Sequence, residues 1–261
     1  MQMKRRRFLG FSISAILLMP FELMAAAWNK AAFSAKNNKT AEQALAISNE
    51  IESNEIDIKA PSRAENGAIV QVEISSHIPN TEAIALLVDK NPTALIGNYM
   101  FSHGALPSMV TRIKMAETSD IKVIVKSGNQ YFTAKRLVTV LENGCGGSSS
   151  INEKFVSSMK IRAKLLTDKP DVAQVKAIIT HPMHTGQGKD LDGALIPAHF
   201  IQTITMRHNE KPAIEMQLGT GIAKNPYLTF YLSDAKLGDK VHIEWADNLG
   251  NADSNETFVI A

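Results

Sequence analysis

Short runs of alternating apolar and polar residues, separated by turn residues about every ten positions, fill most of this chain. In residues 69–74, for example, Gln71 and Glu73 interrupt a series of isoleucine and valine residues. Successive side chains of a β-strand point to opposite faces of a sheet, so a period of two predicts strands with one buried face. Many short strands with regular turns are typical of a β-sandwich. The pattern therefore predicts an all-β fold.

A segment rich in glycine and serine, residues 144–150, divides this strand pattern nearly in half. We expect two β-sandwich domains, residues 28–147 and 159–261, joined by a serine-rich linker at 148–158. A capping box at residues 40–43 predicts one short N-terminal helix that extends to about residue 49. The predicted strands are 56–58, 69–74, 83–88, 110–115, 121–125 and 131–141 in the first half, and 159–165, 172–179, 200–206, 213–218, 227–232, 240–246 and 256–260 in the second.

Residues 1–27 have the pattern of an export signal. Four basic residues at 4–7 precede an apolar run at 8–19, and three alanines at 25–27 provide a small-residue cleavage site. The apolar run is well short of the roughly 20 residues that a membrane-spanning helix needs. The arginines fit a twin-arginine signal. The protein is therefore expected to be exported in folded form to a bacterial periplasm.

The basic character of the chain belongs to this signal. Removing it takes away Lys4, Arg5, Arg6, Arg7 and Glu22, which lowers the formal net charge from +2 to −1. A nearly neutral chain gives no electrostatic reason to predict binding to nucleic acid or to an anionic membrane surface.

Cys145 is the only cysteine among 261 residues, and glycines stand on both sides of it. A lone cysteine is more often a small buried residue of a core, but a Gly/Ser segment buries little apolar area. Because glycine has no Cβ, Gly144, Gly146 and Gly147 are predicted to form a flexible arm that presents the thiol. One cysteine excludes an internal disulfide, and an exposed thiol in an oxidising compartment requires an explanation.

His181 and His184 form a His-x-x-His pair, with Asp190 and His199 nearby in the sequence. This spacing lacks the pattern of a zinc site, so we predict a structural or domain-interface role and no metal. We predict no catalytic residue either, because a polyglycine arm does not hold a thiol beside a histidine as accurately as catalysis requires.

Two sets of motifs carry a family resemblance: residues 91–92, 111–113, 138–139 and 144–147 in the first half, and residues 181–186, 189–190, 196–201, 224–226 and 238–240 in the second. The first set is similar to SoxY and the second to SoxZ, so the chain resembles the SoxYZ family, the sulfur carriers of periplasmic thiosulfate oxidation. It departs from the family pattern in three ways: Asn143 replaces the first glycine of the arm, His184 stands where a glutamate is common, and the arm continues into the second half.

The resemblance implies two immunoglobulin-like β-sandwiches, here a SoxY–SoxZ fusion whose halves pack on each other. It implies that Cys145 carries the sulfur intermediate covalently, without another cofactor, and that the chain is a carrier instead of an enzyme. The implied partners are SoxAX-, SoxB- and SoxCD-like enzymes or a quinoprotein dehydrogenase system. Three alternatives remain for the thiol: a thiol-dependent enzyme, a redox sensor, and a dimer linked through Cys145.

Overall fold

The computed structural model describes residues 27–144 and 156–261. Two short helices come first, α1 at Lys30–Phe33 and α2 at Asn38–Ala44. The predicted start of the helix is wrong, because Asn37 is the N-cap of α2 and its side chain accepts a hydrogen bond from the backbone N–H of Thr40. None of the helices within the described ranges is both long and apolar enough to cross a membrane.

The rest of the described chain is built from strands, which confirms the all-β prediction. The strands of the first half are β1 Ile51–Glu52, β2 Ile56–Lys59, β3 Arg63–Asn66, β4 Val70–Ser76, β5 Thr81–Val88, β6 Leu95–Phe101, β7 Ala105–Ile113, β8 Ser119–Ser127 and β9 Gln130–Glu142. Those of the second half are β10 Ser158–Leu165, β11 Ala173–Thr180, β12 Ile201–His208, β13 Lys211–Leu218, β14 Tyr227–Leu232, β15 Lys240–Asp247 and β16 Ala252–Ile260.

Every predicted strand overlaps an observed one, but the prediction missed β6 and the short strands β1 and β3. Gly97 and Asn98 interrupt the apolar residues of β6, which hides its period of two. Gly97 leaves room for the side chain of Tyr99, since a Cβ at residue 97 would lie 2.8 Å from the tyrosine oxygen. At the boundary between the predicted linker and the second half, β10 begins at Ser158, a residue that the prediction assigned to the linker.

The strands form two layers, and each layer contains strands from both halves. The order in one sheet is β1-β9-β8-β5-β6-β13-β12-β15-β16, and in the other β2-β4-β7-β14-β11-β10-β16, with β16 at the edge of both. The halves meet at two antiparallel pairs, β6 with β13 and β7 with β14. The two sandwich-like halves are therefore hydrogen-bonded edge to edge in both sheets.

One hydrophobic core extends through both halves. Tyr99 of β6 and Phe230 of β14 lie inside it with ring centroids 6.4 Å apart. Near the N-terminus, Trp28 stacks on Phe33 and donates a hydrogen bond of 2.9 Å from its indole nitrogen to the Leu218 carbonyl of β13. Since burying one large apolar side chain contributes about 1.5–3 kcal/mol, these contacts couple the stability of the halves.

Candidate functional site

Cys145, Gly146 and Gly147 lie outside the described residues, whereas Gly144 lies inside them. Gly144 follows the end of β9 and is buried. Its backbone N–H donates to the Met115 carbonyl over 3.0 Å. Met115 in turn donates to the Gly67 carbonyl over 2.7 Å, and Gly67 donates to the Glu142 carbonyl over 2.9 Å. Three chain segments are thus bonded to one another beside the residue that precedes the cysteine.

Gly144, which the sequence places in the arm, is packed in the structure, and the flexible arm with Gly146 and Gly147 stays a prediction. A Cβ on Gly144 would lie 1.9 Å from the carbonyl carbon and oxygen of Gly67, so the two backbones touch where no other residue fits. Gly144 is glycine because of this close approach and not because the chain must bend there. Gly144, one peptide bond from Cys145, is therefore packed against Gly67.

A cleft of about 240 Å³ opens beside Gly144, and its walls come from both halves of the chain. We call it the interhalf cleft. Its lining residues in the first half are Ala68, Ile69, Lys114 and Gly144, and in the second half Pro182, Met183, His184, Thr185, Gly188, Ile196 and Lys224.

Lys114 connects the two walls of the interhalf cleft. Its side chain is almost fully buried, and its ammonium group donates hydrogen bonds to the carbonyls of Met183 and Thr220 in the second half. Asn91, which belongs to the family-like motif at residues 91–92, holds this lysine in place from behind. Its side-chain amide donates to the Lys114 carbonyl over 2.7 Å and accepts from the Ala116 N–H over 2.8 Å. Asn91 is therefore a positioning residue for the cleft.

A buried cluster of His181, His199 and Asp247 supports the other wall. The Nε2 atom of His199 lies 2.7 Å from the Asp247 carboxylate, and that of His181 lies 3.4 Å from the same oxygen. Burial alone would raise the pKa of Asp247, but hydrogen bonds from Asn251 and His199 outweigh it and lower the pKa to about 2. Asp247 is therefore ionised at neutral pH.

His181 is held as a neutral ring. Burial lowers its pKa to about 4, although the hydrogen bond to Asp247 acts in the opposite direction. Its Nδ1 atom accepts a hydrogen bond of 3.1 Å from the backbone N–H of Met183, so the ring proton is on Nε2 and points to Asp247. The cluster thereby fixes the turn at Met183, which lines the interhalf cleft.

The ligand atoms of His181, His199 and Asp247 lie within 4.8 Å of one another, a separation that would suit a metal ion. The donors do not suit one. A metal-bound histidine donates its other ring N–H to an acceptor, whereas Nδ1 of His181 faces a backbone N–H donor. Asp247 already accepts from Asn251 and Leu249 as well as from the histidines. These residues fit a hydrogen-bond network better than a metal centre.

The His-x-x-His pair is divided between two environments. His181 belongs to the buried network, whereas His184 lines the cleft and is held by two backbone hydrogen bonds to His199, at 2.7 and 3.1 Å. Sequence reasoning noted His199 but missed Asp247 and Lys114. Asp247 is separated from His181 by 66 residues, and only the turn-forming residues 247–251 mark its position in the sequence.

Comparison with known proteins agrees with this architecture. Residues 41–145 match the family "Sulfur oxidation protein SoxY", and residues 159–257 match "Sulphur oxidation protein SoxZ". The SoxY match ends at Cys145. The solved structure of the sulfur carrier protein SoxY from Chlorobium limicola f thiosulfatophilum is 34% identical, over 36% of this chain and 86% of that one, with a TM-score of 0.34.

The fold and the two matches define a class of sulfur-oxidation protein with immunoglobulin-like β-sandwich halves. The chain belongs to the SoxYZ family, with SoxY and SoxZ fused in one polypeptide. A β-glycosidase from Bacteroides vulgatus is also similar, with 9% identity over 85% of this chain and 26% of that one, but its TM-score of 0.25 supports no inference. A search of curated proteins gives no match.

Proposed function

We propose that this protein is a periplasmic carrier that holds sulfur intermediates covalently on Cys145 and presents them to partner enzymes of sulfur oxidation. The observation that carries the proposal is the position of Cys145, which ends the SoxY match and follows directly on Gly144 at the interhalf cleft. The carrier has no cofactor of its own, because the sulfur intermediate is attached through the thiol.

Loading a thiosulfate-derived cargo requires an oxidant. The thiol of Cys145 and S₂O₃²⁻ form a new sulfur–sulfur bond, giving Cys–S–SSO₃⁻ with release of one proton and two electrons. A redox enzyme of the sulfur-oxidation system accepts these electrons. The cargo then ends in a sulfonate with one negative charge.

The thiolate is the reactive form of cysteine, and an ordinary cysteine with a pKa near 8.5 is only a few per cent ionised at pH 7. Residues 141–150 around Cys145 contain no basic residue. The structure brings Lys114 and Lys224 to the cleft beside Gly144. Positive charge near a thiol favours its thiolate, so the carrier itself contributes to activation.

Membership of the family supports the partners and the compartment that we propose. We propose that SoxAX-, SoxB- and SoxCD-like enzymes, or a quinoprotein dehydrogenase system, load and unload Cys145. The twin-arginine pattern in residues 1–27 supports export to the periplasm, although these residues precede the described ones, apart from Ala27.

A thiol-dependent enzyme is the second candidate, and one observation favours it. His184 lines the same cleft as Gly144, so a histidine does lie in the neighbourhood of the thiol's attachment point. If Cys145 were a catalytic nucleophile, the isolated protein would turn over small disulfides or peroxides, and His184→Gln would reduce the rate. A carrier shows no such turnover.

Intact-mass analysis tests the carrier. The full chain is incubated with thiosulfate and a periplasmic extract of a sulfur-oxidising bacterium, then weighed before and after treatment with a thiol reductant. We expect an added mass that the reductant removes, absent from Cys145→Ser, while the unfolding free energy of the variant changes by less than about 0.5 kcal/mol. A doubled mass would identify a disulfide dimer, and an adduct that persists in Cys145→Ser would place the cargo elsewhere.

A further inference from the structure

The interhalf cleft is lined by basic side chains from both halves, and no carboxylate stands among its described lining residues. Lys114 comes from the first half, and His184 and Lys224 come from the second. The remaining lining residues are uncharged. Clefts lined by charge of one sign concentrate ions of the opposite sign, because their walls have a low dielectric constant.

The two lysines lie at different depths in the cleft. Lys114 is only 8% exposed, and its hydrogen bonds to the Met183 and Thr220 carbonyls hold the ammonium group at the junction of the halves. Lys224 is exposed, and it forms no ion pair with any residue in 27–144 or 156–261. One cation is thus built into the wall and a second is available at the surface.

The charged groups of the cleft affect the protonation of His184. Its pKa is lowered, first by burial and then by electrostatic repulsion from His199, Lys114 and Lys224. Basic groups from both halves therefore lie close enough to His184 to act on it. A bound anion would relieve this repulsion and favour the protonated ring.

We propose that the interhalf cleft is a binding site for a sulfur oxyanion, built from Lys114, His184 and Lys224. The identification of that oxyanion as the terminal sulfonate of the cargo depends on the carrier function proposed above. A sulfonate or thiosulfate presents several oxygen acceptors around a negative charge, and ammonium and imidazole N–H groups form their strongest hydrogen bonds to such acceptors. Because Gly144 lines the cleft, the cargo-bearing residue is next in the chain to a residue of the site.

The site can be tested apart from carriage by using the full chain with Cys145→Ser, which cannot form an adduct there. Sodium thiosulfate and sodium sulfate are titrated into this variant by calorimetry, with sodium chloride of equal ionic strength as the reference. Lys224→Gln removes the surface cation, and His184→Glu places a carboxylate inside the cleft. Lys176→Gln, on the exposed face of β11, removes the same charge at a residue outside the cleft lining.

We expect both oxyanions to bind to the parent in preference to chloride. Affinity should fall about tenfold in Lys224→Gln and should be lost in His184→Glu, and Lys176→Gln should match the parent. Circular dichroism checks that each variant is folded. Equal weakening in all three variants, or thiosulfate binding that Lys224→Gln and His184→Glu leave unchanged, would overturn the site. Neither result bears on Cys145, so failure of the oxyanion site is distinguishable from failure of the carrier.

Discussion

Gly67 and Gly144 pack backbone against backbone at the point where the folded first half ends. A Cβ on Gly67 would lie 2.1 Å from the Met115 carbonyl oxygen, and a Cβ on Gly144 would lie 1.9 Å from Gly67 itself. The contact fixes the start of the cysteine-bearing segment beside the interhalf cleft. The residue that precedes Cys145 is therefore held by the folded first half.

Gly144→Ala tests this contact. The added methyl group cannot be accommodated without moving the Gly67 backbone, so we expect a loss of about 2–3 kcal/mol in the free energy of unfolding, measured with urea. Gly193→Ala is the control, because a Cβ there meets open space and only the positive φ of 83° is unfavourable. That strain costs about 1–2 kcal/mol. A smaller loss for Gly144→Ala than for Gly193→Ala would mean that residue 144 is not packed.

Lys122 connects the N-terminal helical segment to β8. Its ammonium group lies 2.6 Å from Glu42 and 2.7 Å from Glu50, and all three side chains are at most 16% exposed. Burial lowers the pKa of Lys122, but the two carboxylates outweigh it and raise the pKa overall. Lys122→Met leaves two carboxylates together in a poorly solvated place, and we expect a loss of roughly 2 kcal/mol.

The control for Lys122 is Lys59→Met, which removes an ion pair with Glu73 on the exposed surface. Exposed ion pairs contribute little to stability, so we expect no clear change in the free energy of unfolding. If the two variants lose the same stability, then the Lys122 cluster behaves as an ordinary surface pair.

The buried His181 network predicts loss of stability in mild acid. The pKa of His181 is about 4 in the folded chain, whereas an ordinary histidine titrates near 6.5, so the unfolded chain binds the extra proton first. Stability is therefore complete above about pH 6.5 and decreases as the pH falls towards 4, by up to about 3 kcal/mol from this residue. The pKa of His184 is also lowered, and it contributes in the same direction.

His181→Gln provides the test, since an amide can donate to Asp247 and accept from Met183 without titrating. The slope of unfolding free energy against pH between 4 and 6.5 should be shallower in this variant than in the parent. His77→Gln, at an exposed histidine outside this network, is the matched control. An unchanged slope in His181→Gln would show that folding does not lower the pKa of His181.

The sequence predicts most of the strands because alternation is a local property, readable within about four to eight residues. The packing of Gly144 could not be predicted, because it depends on Gly67, which approaches Gly144 only in the folded chain. The cleft was missed for the same reason, since Lys114 and Lys224 line it from different halves of the chain. His181, which follows β11, and Asp247, at the end of β15, likewise come together only in the folded chain, because β11 and β15 are not neighbouring strands. Contacts of this kind depend on register and topology, which no local pattern records.

The last prediction concerns the junction of the two halves. An engineered protease site between residues 150 and 157 would cut the chain without removing any hydrogen bond of the β6–β13 and β7–β14 pairs. Both sheets and the core cross the junction, and Lys114 joins its two walls. We therefore expect the fragments to migrate as one species on size exclusion at micromolar concentration.

A charge placed in the core of this junction should make the cut fragments separate, in contrast to those of the cut parent chain. Met216 of β13 is 1% exposed and pairs with Tyr99 of β6, so Met216→Asp places an unpaired carboxylate in the core at the boundary. After cutting, this variant should separate into two fragments, while Glu215→Asp, the adjacent and less buried position, should remain associated. Separation of the cut parent chain would show that the covalent link, and not the shared sheets, holds SoxY and SoxZ together. If the two fragments of the cut parent chain stay together and sulfur is still carried on Cys145, then the interface between the halves is sufficient for association. The fusion would then only keep the two halves close to each other.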